Sequence, residues 1–161
     1  MDIKFKREDF RFKCRANGLI LRGDKILIVR HEDNKHFNLP GGHIEIGETS
    51  AAALKREVFE EAGIEITSEK LFCITENIYE NGTRHEIAFY YTCVPLYGLG
   101  MEFTGEKTVV KLDHGKEKTM LFKWVTKDEF RAIRFMPLAV KDLIMKDDIK
   151  TLKHIAINEL L

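Results

Sequence analysis

The chain is 161 residues long, enough for one domain whose core folds without disulfide or metal staples. Twenty-six Lys and Arg balance twenty-six Asp and Glu, so no bulk field drives the protein onto nucleic acid or a membrane surface. Three cysteines, Cys14, Cys73 and Cys93, are too few and too scattered for a disulfide framework or a four-cysteine zinc site.

The N-terminal stretch MDIKFKREDFRFK has no apolar signal region and no run of 18 apolar residues occurs, so a cytoplasmic protein with no membrane partner is expected. Residues 11 to 20 and 25 to 30 read as strands joined through Arg22-Gly23-Asp24. Phe37-Asn38-Leu39 leads into a Pro40-Gly41-Gly42 turn, and a helix follows at about 49 to 62. Strands at 70 to 79 and 84 to 95 flank Glu80-Asn81-Gly82, where Asn-Gly is a strong hairpin signal. The charged, poorly periodic segment 97 to 119 is expected as a long loop. A strand at 120 to 125 precedes helical patterns at about 127 to 133 and 137 to 147. Residues 148 to 161 are expected to close the chain as an amphipathic helix through Ile149, Leu152, Ala156 and Leu160. Strands interleaved with a central helix and later helices point to an α/β/α sandwich with a mixed β-sheet, one domain over 1–161.

The most informative stretch is GHIEIGETSAAALKREVFEEAGI, from Gly42 to Ile64. With Leu54 at zero on a helical wheel, Glu60, Glu57 and Glu61 fall at roughly 240°, 300° and 340°, inside one arc of roughly 100°. Ala51, Leu54, Val58 and Ala62 form the adjoining apolar stripe, which would pack on a core and hold the acidic face in place. Three carboxylates in a partly dry cleft repel by several kcal/mol at an effective dielectric of about 20 unless a cation sits among them. Hard oxygen donors without Cys or His suit Mg²⁺, or Mn²⁺, better than zinc. Thr49 or Ser50 can cap the helix start, and Gly63 suits a left-handed residue past its end.

The spacing G-x5-E-x7-R-E-aliphatic-x-E-E-x-G-aliphatic is met by Gly42, Glu48, Arg56, Glu57, Val58, Glu60, Glu61, Gly63 and Ile64. Seven fixed letters at fixed spacing arise by chance in roughly one window in 10⁸ to 10⁹. The stretch resembles the Nudix box without gap or substitution. The resemblance covers roughly residues 10 to 147 and implies hydrolysis of nucleoside diphosphates linked to another moiety, on an α/β/α fold. It further implies an Arg56–Glu48 ion pair, metal held by Glu57, Glu60 and Glu61, and the Gly41 carbonyl as an added ligand.

The general base is open at this level. Family members take it from the box or from a later loop, where Glu117 is the first candidate and Glu86 the second. Gly42 and His43 beside the turn are candidate phosphate contacts, and Phe37, Tyr79, Phe89, Tyr90 or Phe103 could face a nucleobase. Gly42-His-Ile-Glu-Ile-Gly47-Glu48-Thr49 has the glycine spacing of a phosphate-binding Walker loop but carries an acid where the lysine belongs, and His31 and His36 stand five apart instead of the four of a zinc-protease helix. Both alternatives fail on those grounds. Signatures of subgroups acting on NADH and coenzyme A are missing, and no proline lies between Ile64 and Pro95 to match the ADP-ribose type. The expected partner is a small nucleotide substrate; an RNA 5′ end needs only a local basic groove, and a homodimer is compatible with the sequence. Two other classes stand beside the hydrolase: a silent nucleotide sensor using the same pocket, and an interaction module working through the C-terminal helix.

Overall fold

The computed structural model describes residues 1–96, 105–113 and 116–158. Strands β1 (Lys4–Arg7), β2 (Phe10–Arg22), β3 (Lys25–His31) and β4 (Gly41–His43) precede helix α1 (Ser50–Ala62). Strands β5 (Ile66–Tyr79), β6 (Arg84–Pro95), β7 (Glu106–Asp113) and β8 (Lys116–Thr126) follow, then α2 (Lys127–Ala132), α3 (Leu138–Met145) and β9 (Lys153–Asn158). The strands join in the order β7-β8-β3-β2-β6-β5-β9, with β1 and β4 added on β2. The sheet is mixed, because β2 runs parallel to β6 and β5 parallel to β9 while the other pairs are antiparallel.

Strand alternation sends side chains to two separate cores. Ala16 and Ile20 of β2, Leu27 and Val29 of β3, and Met120, Phe122 and Trp124 of β8 meet Ala53, Leu54, Val58 and Ala62 of α1 on one face. Leu19, Ile26, Ile28, Phe72 and Val125 meet Phe130 of α2 and Val140 and Ile144 of α3 on the other. Helices on both faces of a mixed sheet make the expected three layers. Among the described residues no helix is long and apolar enough to cross a membrane.

Two expectations change. The tail is a strand: Ile155 and Ile157 alternate with exposed His154, Ala156 and Asn158, and β9 pairs in parallel with Cys73–Ile78, covering backbone groups β5 would otherwise leave open. Period two in the β-branched pair outweighs the helical spacing of Ile149, Leu152 and Ala156, while Leu160 lies outside the described residues. The expected loop of 97 to 119 is largely a hairpin, since Glu106–Asp113 pairs antiparallel with Lys116–Lys123; residues 97–104, including Phe103, lie outside the described residues.

Leu54 is fully buried where α1 meets the sheet. Leu54→Ala should lower unfolding free energy by roughly 2–5 kcal/mol in equilibrium urea denaturation, through lost transfer energy and the cavity left behind.

Candidate active site

Two glycines set how closely the turn of β4 lies between β2 and α1. Gly41 has φ 141°, and a Cβ there would stand 2.1 Å from the Ala16 carbonyl oxygen. At Gly42 a Cβ would stand 2.2 Å from the Glu57 carboxyl carbon. A hydrogen is therefore all the turn tolerates where the helix presents its first carboxylate. The helix is fixed at both ends: Ala52 N–H donates to Thr49 Oγ1 at 3.2 Å, and Gly63 takes the left-handed conformation with φ 71°.

Arg56 is the hub. Its Nη2 donates to Glu48 Oε1 at 2.6 Å and its Nε to Glu48 Oε2 at 3.2 Å, a two-point grip. The same guanidinium donates to the His43 carbonyl at 3.0 Å and to Glu57 Oε1 at 3.0 Å, and lies 3.6 Å from Glu60 Oε2. Although Arg56 is off the acidic arc on the wheel, its length brings it back onto Glu57 and Glu60. The Arg56 hydrogen bond holds the Glu48 carboxyl below its ordinary range, and Glu48 Oε1 also accepts from Glu45 N–H at 2.8 Å.

The three box carboxylates sit in different surroundings. Glu60 meets Lys111 of β7 at 3.2 Å, and Glu57 rests on Arg56 and Gly42. Glu61 is deeply set, its Oε2 is buried with no hydrogen-bond partner, and burial followed by the Glu57 charge pushes its carboxyl up to about 7. Among the described residues no three acidic, His or Cys side chains converge tightly enough to hold an ion as they stand. Glu57 and Glu60 engage Arg56 and Lys111, whereas Glu61 Oε2 has no such partner. The donor set is still all hard oxygen, and the orphaned Glu61 oxygen lacks a positive partner that a divalent ion would supply. The residues fit a hard divalent ion for which Glu57 and Glu60 would exchange their side-chain partners.

These groups line a cleft of about 450 Å³. Lys4, Arg15, Lys111 and Lys118 bring positive charge to it, and Gly41, Gly42 and His43 form its floor beside the carboxylates. Arg15 Nη2 donates to the Gly41 carbonyl at 3.1 Å. Burial, then the Arg15 charge, lowers His43 to about 4, so its imidazole is neutral near pH 7.

A glycine-tight turn, a clamped arginine and a carboxylate face in one cationic cleft coincide with a family match, for the NUDIX domain model covers residues 13–147. The chain belongs to the Nudix family. A MutT-like protein of Streptomyces ambofaciens is 33% identical over 113 residues, covering 70% of this chain and 62% of that one. An ADP-ribose pyrophosphatase of Methanocaldococcus jannaschii is 41% identical over 52 residues, covering 30% of this chain and 31% of that one. The chain thus matches less than two thirds of the length of either relative. Among solved structures, a NUDIX hydrolase from Nitrosomonas europaea superposes with a TM-score of 0.64 at 26% identity, covering 87% of this chain and 91% of that one.

The Nudix helix and turn gather Gly41, Gly42, His43, Glu48, Arg56, Glu57, Glu60 and Glu61 in one place. Two candidates fall elsewhere. Glu117 is on strand β8, where alternation puts it on the face opposite Lys118 and Met120, which line the cleft. Phe37 packs on the second core, bridges to Phe135 and lies under Arg30 at 5.3 Å. Of the other aromatics, Tyr90 is buried and Phe89 packs on the first core, whereas Tyr79 and Glu86 line a second cavity of about 430 Å³. Lys4, Arg15 and Lys111 were not singled out from the sequence. A charge inside the Cys14–Ile20 apolar run marked Arg15, while Lys111 stood in a segment expected to be irregular.

Two outcomes follow for the Nudix site. Gly42→Ala should destabilise by roughly 1–3 kcal/mol in urea denaturation, because the added methyl displaces the Glu57 carboxylate. Glu61 has a folded value near 7 against an ordinary 4.5, so the ion-free protein loses stability as pH rises from 4.5 through 7. The loss reaches roughly 3 kcal/mol at full ionisation. With EDTA present, Glu61→Gln should match the parent at about pH 4 and exceed it at about pH 8.

Proposed function

We propose that this protein hydrolyses a pyrophosphate linkage in a nucleoside diphosphate derivative, using Mg²⁺ or Mn²⁺, and works in the cytoplasm. The observation that carries the proposal is the placement of Glu57, Glu60 and the unpartnered Glu61 under the Gly41–Gly42 turn, in a cleft rimmed by Lys4, Arg15 and Lys111. Three repelling carboxylates cost stability in a fold that merely binds, and they serve hydrolysis directly.

Glu57, Glu60, Glu61 and the Gly41 carbonyl would hold the ion. When bound, the ion supplies charge neutralisation for the phosphates and orientation for the attacking water. Arg56 positions the carboxylates through Glu57 and Glu60 while Glu48 fixes its guanidinium. Arg15 and Lys111 offset charge on the phosphate oxygens, and neutral His43 lends a hydrogen bond without adding charge. Water attacks one phosphorus, the bond from that phosphorus to the bridging oxygen breaks, and the water proton passes to a carboxylate of the cleft. Glu117 is not among the residues lining the cleft, which favours as base a box glutamate that the ion does not fully engage. The products are a nucleoside monophosphate and a phosphorylated remainder.

The second cavity is the proposed seat for the rest of the nucleotide. Arg15 lines both cavities and joins them, and Lys13, Asn38, Asn77, Tyr79 and Glu86 offer hydrogen bonds around the second. ADP-ribose, the substrate in the name of the Methanocaldococcus relative, is one candidate, although the proline expected for that subgroup is absent between Ile64 and Pro95. Nucleotide sugars and nucleoside triphosphates are the others.

Purified protein with Mg²⁺ should turn over one class in a panel of nucleoside triphosphates, nucleotide sugars, ADP-ribose and dinucleoside polyphosphates. Glu60→Gln and Glu61→Gln should abolish that turnover, and Arg56→Ala should reduce it by about 10–100-fold, the usual cost of losing a group that orients metal ligands. Binding of nucleotides without any product would replace the hydrolase by a nucleotide sensor.

A further inference from the structure

Residues 1–12 precede the Nudix match, yet Asp2 and Lys4 line the cleft. Asp2 bridges to Glu45, Ile3 N–H donates to the Ile44 carbonyl, and Lys4 reaches the cleft itself. From there β1 and the start of β2 run out as a two-stranded ribbon with Phe5 opposite Phe12, Lys6 opposite Arg11 and Arg7 opposite Phe10. Alternation makes its faces unlike. One face carries Phe5, Phe12, Phe10 and Arg7; the other carries Lys4, Lys13, Lys6 and Arg11.

The aromatic face is open. Phe5 is 61% and Phe10 55% exposed, Phe5 and Phe12 stack with centroids 5.5 Å apart, and His85 stands edge-on to Phe12 at 5.8 Å. Together with Gly82 and Thr83 they line a shallow groove of about 340 Å³. Across the ribbon, Lys13 is pressed by burial and then by Arg15, with Arg11 and Arg84 adding to the cation crowding and only Glu86 opposing it. Among the described residues no carboxylate is paired with Lys6, Arg7 or Arg11, although the chain as a whole is neutral. Arg7 and Arg11 line that groove with the rings, and exposed aromatic rings with unpaired cations at the same groove match a chain of bases and phosphates, for bases stack on the rings and phosphodiesters meet the cations.

We propose that the β1–β2 hairpin binds single-stranded nucleic acid and leads its 5′ phosphates past Lys4 into the carboxylate cleft. Only the last step, processing of the 5′ end, rests on the proposed hydrolase. Continuity of the cations with a cleft built for phosphates favours an oligonucleotide over a lipid surface.

The test is fluorescence anisotropy with a labelled ten-nucleotide single-stranded RNA bearing a 5′-hydroxyl, in EDTA, so that the result is independent of turnover. Saturable binding is expected, with a log–log salt slope of about −2 if three phosphates are neutralised. Phe5→Ala/Phe10→Ala and, separately, Lys6→Glu/Arg11→Glu should each weaken binding at least tenfold. All four side chains are exposed, so both variants should melt near the parent. No binding at low salt, binding unaltered in both variants, or binding to anionic phosphatidylserine vesicles in place of RNA would overturn the proposal. If binding holds and the hydrolase panel stays silent, the hairpin stands and the activity falls.

Discussion

Glu57, Glu60 and Glu61 crowd one side of α1, and like charges so placed repel unless something positive stands among them. The rest of the site answers that repulsion. Arg56 takes charge from two of the three and is itself gripped by Glu48, while Lys111 reaches Glu60 from β7. Glu61 is left without a partner in the deepest position, where burial favours its protonated form. The fold thus stores electrostatic cost at one point, which is where a divalent ion would return the most.

Holding the carboxylates in place requires rigidity that the helix alone lacks. Ala53, Leu54, Val58 and Ala62 seat α1 on one face of the sheet, and α2 and α3 cover the other through Phe130, Val140 and Ile144. The Gly41–Gly42 turn is locked between β2 and α1 because neither glycine has room for a Cβ. Arg15 then ties β2 to the Gly41 carbonyl and stands at the junction of both cavities. Stability and site geometry therefore share the same residues, as catalytic sites carried on rigid elements commonly do.

Much of this was legible in the amino-acid order, for local reasons. The helix declares itself through its 3.6-residue stripe, its Thr49 cap and Gly63, all within one stretch, and the ends match closely. Arg56 with Glu48 was implied by the box and is found as a two-point ion pair. What depends on distant pairing was harder to read. Lys111 reaches the cleft only because β7 pairs with β8, and Glu117 is carried away from it by strand parity, a matter of one residue in register. The tail carried competing periods of two and 3.6, and the open edge of β5 decided for the strand. Phe37 was near the turn in sequence but its ring was claimed by the second core.

A divalent ion among Glu57, Glu60 and Glu61 would relieve the carboxylate repulsion on α1. Thermal unfolding across a Mg²⁺ titration, for the parent and for Glu57→Gln/Glu60→Gln/Glu61→Gln, tests it most directly. A saturable rise is expected for the parent, about 2.7 kcal/mol at a hundredfold excess over the dissociation constant, with no response from the triple variant. A melting temperature indifferent to Mg²⁺ and Mn²⁺ in the parent, or an equal rise in the triple variant, would contradict it.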